Sequence, residues 1–299
     1  YKQLTRSVTD LAAASKFTTG ELGEATTGLA RAGFSAQEIA DALPGVSQGA
    51  AAAGASMADM SDVVIAALGG FQISTSETGD VVDILTAAAN NANTDVRELG
   101  EGLKYVGPIA KNLGLSLADT AAVAGLLANN GIKASQMGTS LRQGLSRLAA
   151  AAAGAESPMG DLSRGTANQA KVLERLGVSV ADASGELLPF PQLLEKLREG
   201  FSNLSSLDQG LAAKVLFGQE SSSACISLLN TSADEVENFF NVTNNASGAA
   251  AETAQNNLKG LAGSLDLLAS AQNALFTDLG EACLLYTSDA ADDSLRVDL

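Results

Sequence analysis

Glu98 and Glu101, and again Asp80 and Asp83, are carboxylates three residues apart in stretches with helical patterning, which sets each pair on one helix face. Paired carboxylates are the equipment of glycoside hydrolysis, one as general acid and the other as nucleophile or base. That reaction needs the pair set across a cleft, often beside aromatic platforms for the sugar rings. This chain has no tryptophan and three tyrosines, and such pairs are commonplace on solvated helix faces. A cell-wall hydrolase is therefore the weakest of the readings below. With no histidine anywhere, the common serine and cysteine triads and the HExxH zinc site are excluded, and no glycine-rich phosphate loop can be placed after a strand. Cys225 and Cys283 lie far apart without a CxxC pattern, so neither a disulfide framework nor a zinc site is indicated. Cys225, set among Ala224, Ile226 and Leu228, reads as a small core residue. The sequence assigns no catalytic, cofactor-binding or metal-ligating residue.

Any such groups would be positioned by helices. In 299 residues the hydrophobic content is 46% while aromatics make up 4%, so the core is rich in alanine, which suits close helix-on-helix packing better than a sheet. The formal net charge of −16 opposes binding to nucleic acid phosphates or anionic lipid, both of which require Lys and Arg. No apolar run approaches the roughly 20 residues that span a bilayer, and no signal-peptide pattern is present.

A recurring helix start punctuates the first half: a glycine or small turn, an apolar residue, a serine, and an acidic residue three positions on. Ser35 with Glu38 is the clearest, followed by Ser56 with Asp59, Ser74 with Glu77 and Ser116 with Asp119. The hydroxyl caps a free backbone amide and the carboxylate favours the positive helix end. Phe34 and Ile39 are placed to form a hydrophobic staple. Gly33, Gly54, Gly69, Gly70, Gly114 and Gly131 are expected to close helices, and Pro44 and Pro108 to fall near starts or bends. Starts at roughly twenty-residue intervals carry no fixed-period pattern, so an irregular helical domain is expected in place of a solenoid.

Val63, Val64, Ile65 and Leu68, then Val81, Val82, Ile84 and Leu85, provide two helices with apolar surface. Leu141, Leu145 and Leu148 form a stripe, with Arg142 and Arg147 on other faces. The expected layout is a helical core over 1–148, an alanine- and glycine-containing connection over 149–170, and a second helical part over 171–282. Within that second part Val178, Val180 and Leu187, around an Asp182 to Gly185 turn, predict a small β-hairpin near 178–188. Phe217 reads as a core anchor and Gly218 as a tight helix junction. Leu258, Leu261, Leu265, Leu268, Leu275 and Leu279 form a long stripe suited to a partner helix. The fold class is mainly all-α.

Between Ala87 and Leu148 stand two ordered signatures, GLKYVGPIAKNLGLSLADTAA from Gly102 and NNGIKASQMGTSLR from Asn129. This stretch resembles the core of phage tail tape measure proteins, whose turn glycines would fall at Gly107, Gly114, Gly131 and Gly138. LARAGFSAQEIADALPGVSQGAAAAG upstream, VLFGQESSSACISLL from Val215 and NNLKGLAGSLDLLASAQNAL from Asn256 extend the resemblance over nearly the whole chain. Ala134 and Met137 depart from it, standing where relatives usually carry Gly and a smaller residue.

The resemblance implies a virion structural protein that sets tail length and occupies the tail tube lumen until genome ejection, and that is not an enzyme. Implied partners are other copies of itself, tail tube and tail tip proteins and tail assembly chaperones; no cofactor and no specific nucleic acid binding is implied. Lys104 and Tyr105 are candidates for an exposed contact, although a solvated Lys104 and a rim-packed Tyr105 account for them equally. The place implied is the virion tail, with the host cytoplasm during assembly. A helical interaction module of a bacterial secreted or surface protein is the alternative. Tyr1 in place of an initiator Met suggests a fragment of a longer frame, and CLLYTSDAADDSLRVDL from Cys283 resembles translated sequencing-adapter read-through of metagenomic origin. Residues 283–299 are therefore expected to be non-native.

Overall fold

A computed structural model describes residues 2–153, 167–182, 185 and 187–259, together with 264–265, 268–269, 271–272 and 275–276. Fourteen α-helices and one short 3-10 helix form the regular structure of these residues, in agreement with the all-α expectation. The chain divides into two compact units, 1–61 with 251–299, and 62–250.

In the first unit α1 (Lys2–Ala14), α2 (Thr19–Arg31) and α3 (Ala36–Ala53) pack on one another. Leu22, Ala25 and Leu29 supply the buried face of α2, and Ile39, Leu43, Val46 and Ala50 that of α3, each recurring at helical steps of three and four. The predicted cap forms: Glu38 donates its backbone N–H to Ser35 Oγ at 3.3 Å, and Ser35 N–H donates to Glu38 Oε2 at 2.8 Å. Gly54 closes α3 at φ +63°. Asn257 Nδ2 then donates to the carbonyls of Ala51 and Ala52 at 3.3 and 2.9 Å, satisfying groups that a helix end leaves free.

The second unit holds most of α4 (Met57–Phe71), then α5 (Thr78–Asn90), α6 (Val96–Asn112), α7 (Leu117–Asn129), α8 (Ala134–Ala153), α9 (Ala167–Leu176), α10 (Phe190–Ser202), α11 (Ser206–Phe217), α12 (Ser222–Asn230), α13 (Ala233–Asn244) and the start of α14 (Ala249–Leu258). The sequence of α7 is apolar on every side, and its residues from Thr120 through Ala128 are all buried; a helix of that kind must lie at a centre. It packs against α5, α6, α8, α12 and α13. Phe239 of α13 lies over Gly125, leaving no room there for a methyl group.

Several expectations are corrected. Gly69 and Gly70 do not end a helix: α4 runs through both to Phe71, and Gln72 takes the left-handed conformation at φ +53°. Gly70 is spent instead on a backbone approach to Gly107. Pro44 and Pro108 lie inside α3 and α6, each removing one helical amide donor. Gly107 and Gly138, expected in turns, are inside α6 and α8. The hairpin reduces, among the described residues, to one antiparallel bridge between Ala181 and Leu187, because Pro189 follows at once and begins α10. Gly33, Gly114, Gly131 and Gly177 do adopt positive φ beyond their helices. Residues 154–166, and the expected non-native stretch 283–299, lie outside the described residues.

Candidate functional site: a glycine-packed signature and an open groove

The signature stretch builds a close helix contact between α6 and α8. A methyl group on Gly138 would overlap the carbonyl of Gly102 and stand 2.9 Å from its Cα, and one on Gly102 would overlap the Met137 side chain. Likewise, a methyl on Gly107 would lie 3.2 Å from Gly70 Cα, and one on Gly100 would run into Val63. Gly102 and Gly107 of α6 thus let backbone approach backbone, while Gly100 leaves room for the Val63 side chain. Ala134 opens α8 with φ +49°, a conformation that disfavours a side chain and favours glycine.

Polar residues of the same signatures tie loops together. Asn129 Oδ1 accepts from Asn93 N–H at 2.8 Å, while its Nδ2 donates to Glu235 Oε1 at 3.4 Å. In the FGQES segment Gly218 takes φ +91°; a methyl there would meet Arg147 Nε and Gln143 Nε2 at 3.1 Å. Buried Ser221 donates to Gln143 Oε1 at 2.6 Å, and Arg147 Nη1 donates to Val215 O at 3.3 Å. The junction of α11 and α12 is thereby fastened to α8. Phe217 is 2% exposed and stacks on Phe201, ring centroids 6.3 Å apart, a core anchor as expected.

The carboxylates are engaged separately. Glu98 accepts from Thr94 Oγ1 at 2.8 Å and pairs with Lys133 at 3.5 Å, whereas Glu101 pairs with Lys104 at 3.3 Å. Asp80 is exposed. Asp83 reaches across to the start of α14, its Oδ2 accepting from Gly248 N–H at 2.7 Å and its Oδ1 from Ala250 N–H at 3.0 Å. This remote cap has no sequence signal, since its partners are 165 and 167 residues away. Tyr105 is 41% exposed. Burial pushes the Cys225 thiol up to about 12, so it stays protonated at neutral pH; it faces an apolar cavity shared with Leu145, Phe217 and Leu228. Among the described residues no group of three or more cysteine or acidic side chains is gathered to hold a metal ion, and no single helix is long and apolar enough to cross a membrane.

Between α9 and α11 the surface opens into a cleft of about 370 Å³, with Val172, Leu176, Leu204, Leu211 and Val215 in its walls. Leu207 and Leu211, one turn apart on α11, are 83% and 63% exposed.

Residues 5–218 match the family described as phage-related minor tail protein. The chain is 33% identical over 252 residues to the tape measure protein of Pneumococcus phage Dp-1, covering 83% of this chain and 21% of that protein. It is 30% identical over 185 residues to the probable tape measure protein of Escherichia phage P2, covering 60% of this chain and again 21% of the relative. The chain thus spans about a fifth of the length of these curated relatives. No solved structure matches it. With its helical architecture, its signature glycines in backbone contact and a family match over most of its length, the chain belongs to the phage-related minor tail protein family.

Proposed function

We propose that this chain is part of a tape measure protein, the component whose length sets the length of a phage tail and which fills the tail tube lumen until the genome leaves. The observation carrying this reading is the collinear likeness to the Pneumococcus phage Dp-1 tape measure protein over 83% of the chain. An extended helix advances about 1.5 Å per residue, so residue count converts directly to length. The described helices, 9 to 20 residues long, pack within two compact units, so this part of the protein is folded back on itself and the ruler is the remaining length of the parent protein. This part acts as a structural module and not as an enzyme. Its partners are other copies of itself, tail tube and tail tip proteins and tail assembly chaperones. The acidic surface, at net −16, suits a lumen through which DNA must pass without adhering.

The test is an in-frame deletion in the parent gene, with tail lengths read by electron microscopy. Shortening an extended helical stretch outside these two units should shorten tails in proportion to the residues removed. Unchanged tail length would refute the ruler assignment.

A further inference from the structure

Asn130–Gly131 is the one Asn–Gly step in the sequence, and it stands inside the second signature, where the buried helix α7 ends. An asparagine before a glycine is a latent reactive pair. The Gly131 amide nitrogen, giving its proton to a base in solvent, can attack Asn130 Cγ; a C–N bond forms, the Cγ–Nδ2 bond breaks, and Nδ2 takes up a proton and leaves as ammonia. Water then opens the resulting succinimide at either carbonyl, giving aspartate or isoaspartate with nothing oxidised or reduced. Glycine in second place carries no Cβ to hinder the attack. Both residues are exposed, and a methyl group built on Gly131 would meet nothing within 4 Å, so solvent and space are at hand.

The fold withholds the reaction by conformation instead. Ring closure requires Asn130 Cβ to eclipse Gly131 N about the Cα–C bond, whereas at the Asn130 ψ of 11° the backbone nitrogen of Asn130 takes that place. Turning this bond would pull Gly131 N–H off Ala128 O at 2.9 Å and Ile132 N–H off Leu127 O at 3.0 Å, the bonds that close α7. The leaving group is held too, Asn130 Nδ2 donating to Leu126 O at 2.9 Å. Asn129, next in the chain, is tied to Asn93 N–H and to Glu235, and α7 is buried from Thr120 through Ala128. Its last turn therefore opens only when these ties part.

The products do not fit the place they are made in. Aspartate at 130 sets a carboxylate against Leu126 O, where an amide donated before, and adds negative charge at the negative end of α7. Isoaspartate inserts a methylene into the backbone of a turn where Gly131 holds φ +81°. We propose that Asn130–Gly131 is a deamidation site, closed in the folded protein and open in the unfolded one, so that conversion marks a chain that has been unfolded and hinders its return.

The test is incubation of the full chain in mildly alkaline buffer with and without guanidinium chloride, each asparagine being followed by peptide mass spectrometry and ammonia release measured alongside. In denaturant Asn130 should convert faster than any other asparagine, and in the folded chain at least about a hundredfold more slowly than in denaturant. N129A, which frees the neighbouring ties, should raise the ratio of folded to denatured rate at Asn130 at least about threefold. N130D, the product made directly, should unfold at a lower guanidinium concentration than the parent chain. Equal rates at Asn130 with and without denaturant would overturn the shielding, and faster conversion of another asparagine in denaturant would overturn the site. An N130D midpoint equal to that of the parent chain would overturn the hindrance to refolding.

Discussion

The α6–α8 contact and the α9–α11 groove are both helix pairs of the second unit, and they use their surfaces in opposite ways. In the first, Gly102 and Gly138 let two backbones touch, and Leu99, Leu103, Val106, Met137 and Leu141 are all buried. In the second, leucines of α11 stand in solvent beside an apolar cleft. The recognisable signatures concentrate in the closed pair. Family likeness here therefore reports how the second unit is built, and the open pair is where surface remains available to something else.

Substituting the closed pair should have the largest effect. Gly138→Val places two or more carbon atoms against the Gly102 backbone, which cannot move aside, and should lower unfolding free energy by about 3 kcal/mol or more in urea denaturation. Gly102→Ala meets mainly the flexible end of Met137 and should cost about 1–2 kcal/mol, with Met137→Ala in the same chain recovering part of the loss in a double-mutant cycle. Asp83→Ala strips the remote cap and should cost about 1 kcal/mol, seen as faster amide hydrogen exchange from Gly248 into α14. Ala134→Gly should stabilise by about 0.5–1 kcal/mol, since φ +49° suits glycine. Leu207→Ser with Leu211→Ser, at the open pair, should change monomer stability by less than about 0.5 kcal/mol. A large loss there would show that these leucines support the fold, and the contrast between the two pairs would disappear.

Much of the closed architecture is readable from residue order, because helix starts are local chemistry. Ser35 with Glu38 and Ser74 with Glu77 form reciprocal capping boxes, and Ser116 accepts from Asp119 N–H at 3.0 Å. The same signal is present, though not singled out from the sequence, at Thr18 with Glu21, Ser205 with Asp208 and Ser232 with Glu235. The glycines are harder. Gly54 and Gly70 look alike in sequence, yet one ends a helix at φ +63° and the other lies inside a helix against Gly107. Which role wins depends on a partner more than thirty residues away, so no local rule could separate them. Asp83 and Asn129 are illegible for the same reason: their partners are distant in the chain. Leu265 and Leu268, both exposed, are legible as part of a stripe, since periodicity is local.

The Asp83 cap has a consequence for how α14 holds together. At ten residues, α14 is too short to persist alone in water, where an isolated helix needs about 12–15 residues to overcome its costly first turn. Its starting amides are met by a carboxylate of α5 that lies 165 residues earlier in the chain. The helix therefore begins on a template borrowed from a distant element, and a chain in which α5 is misplaced would leave those amides unmet.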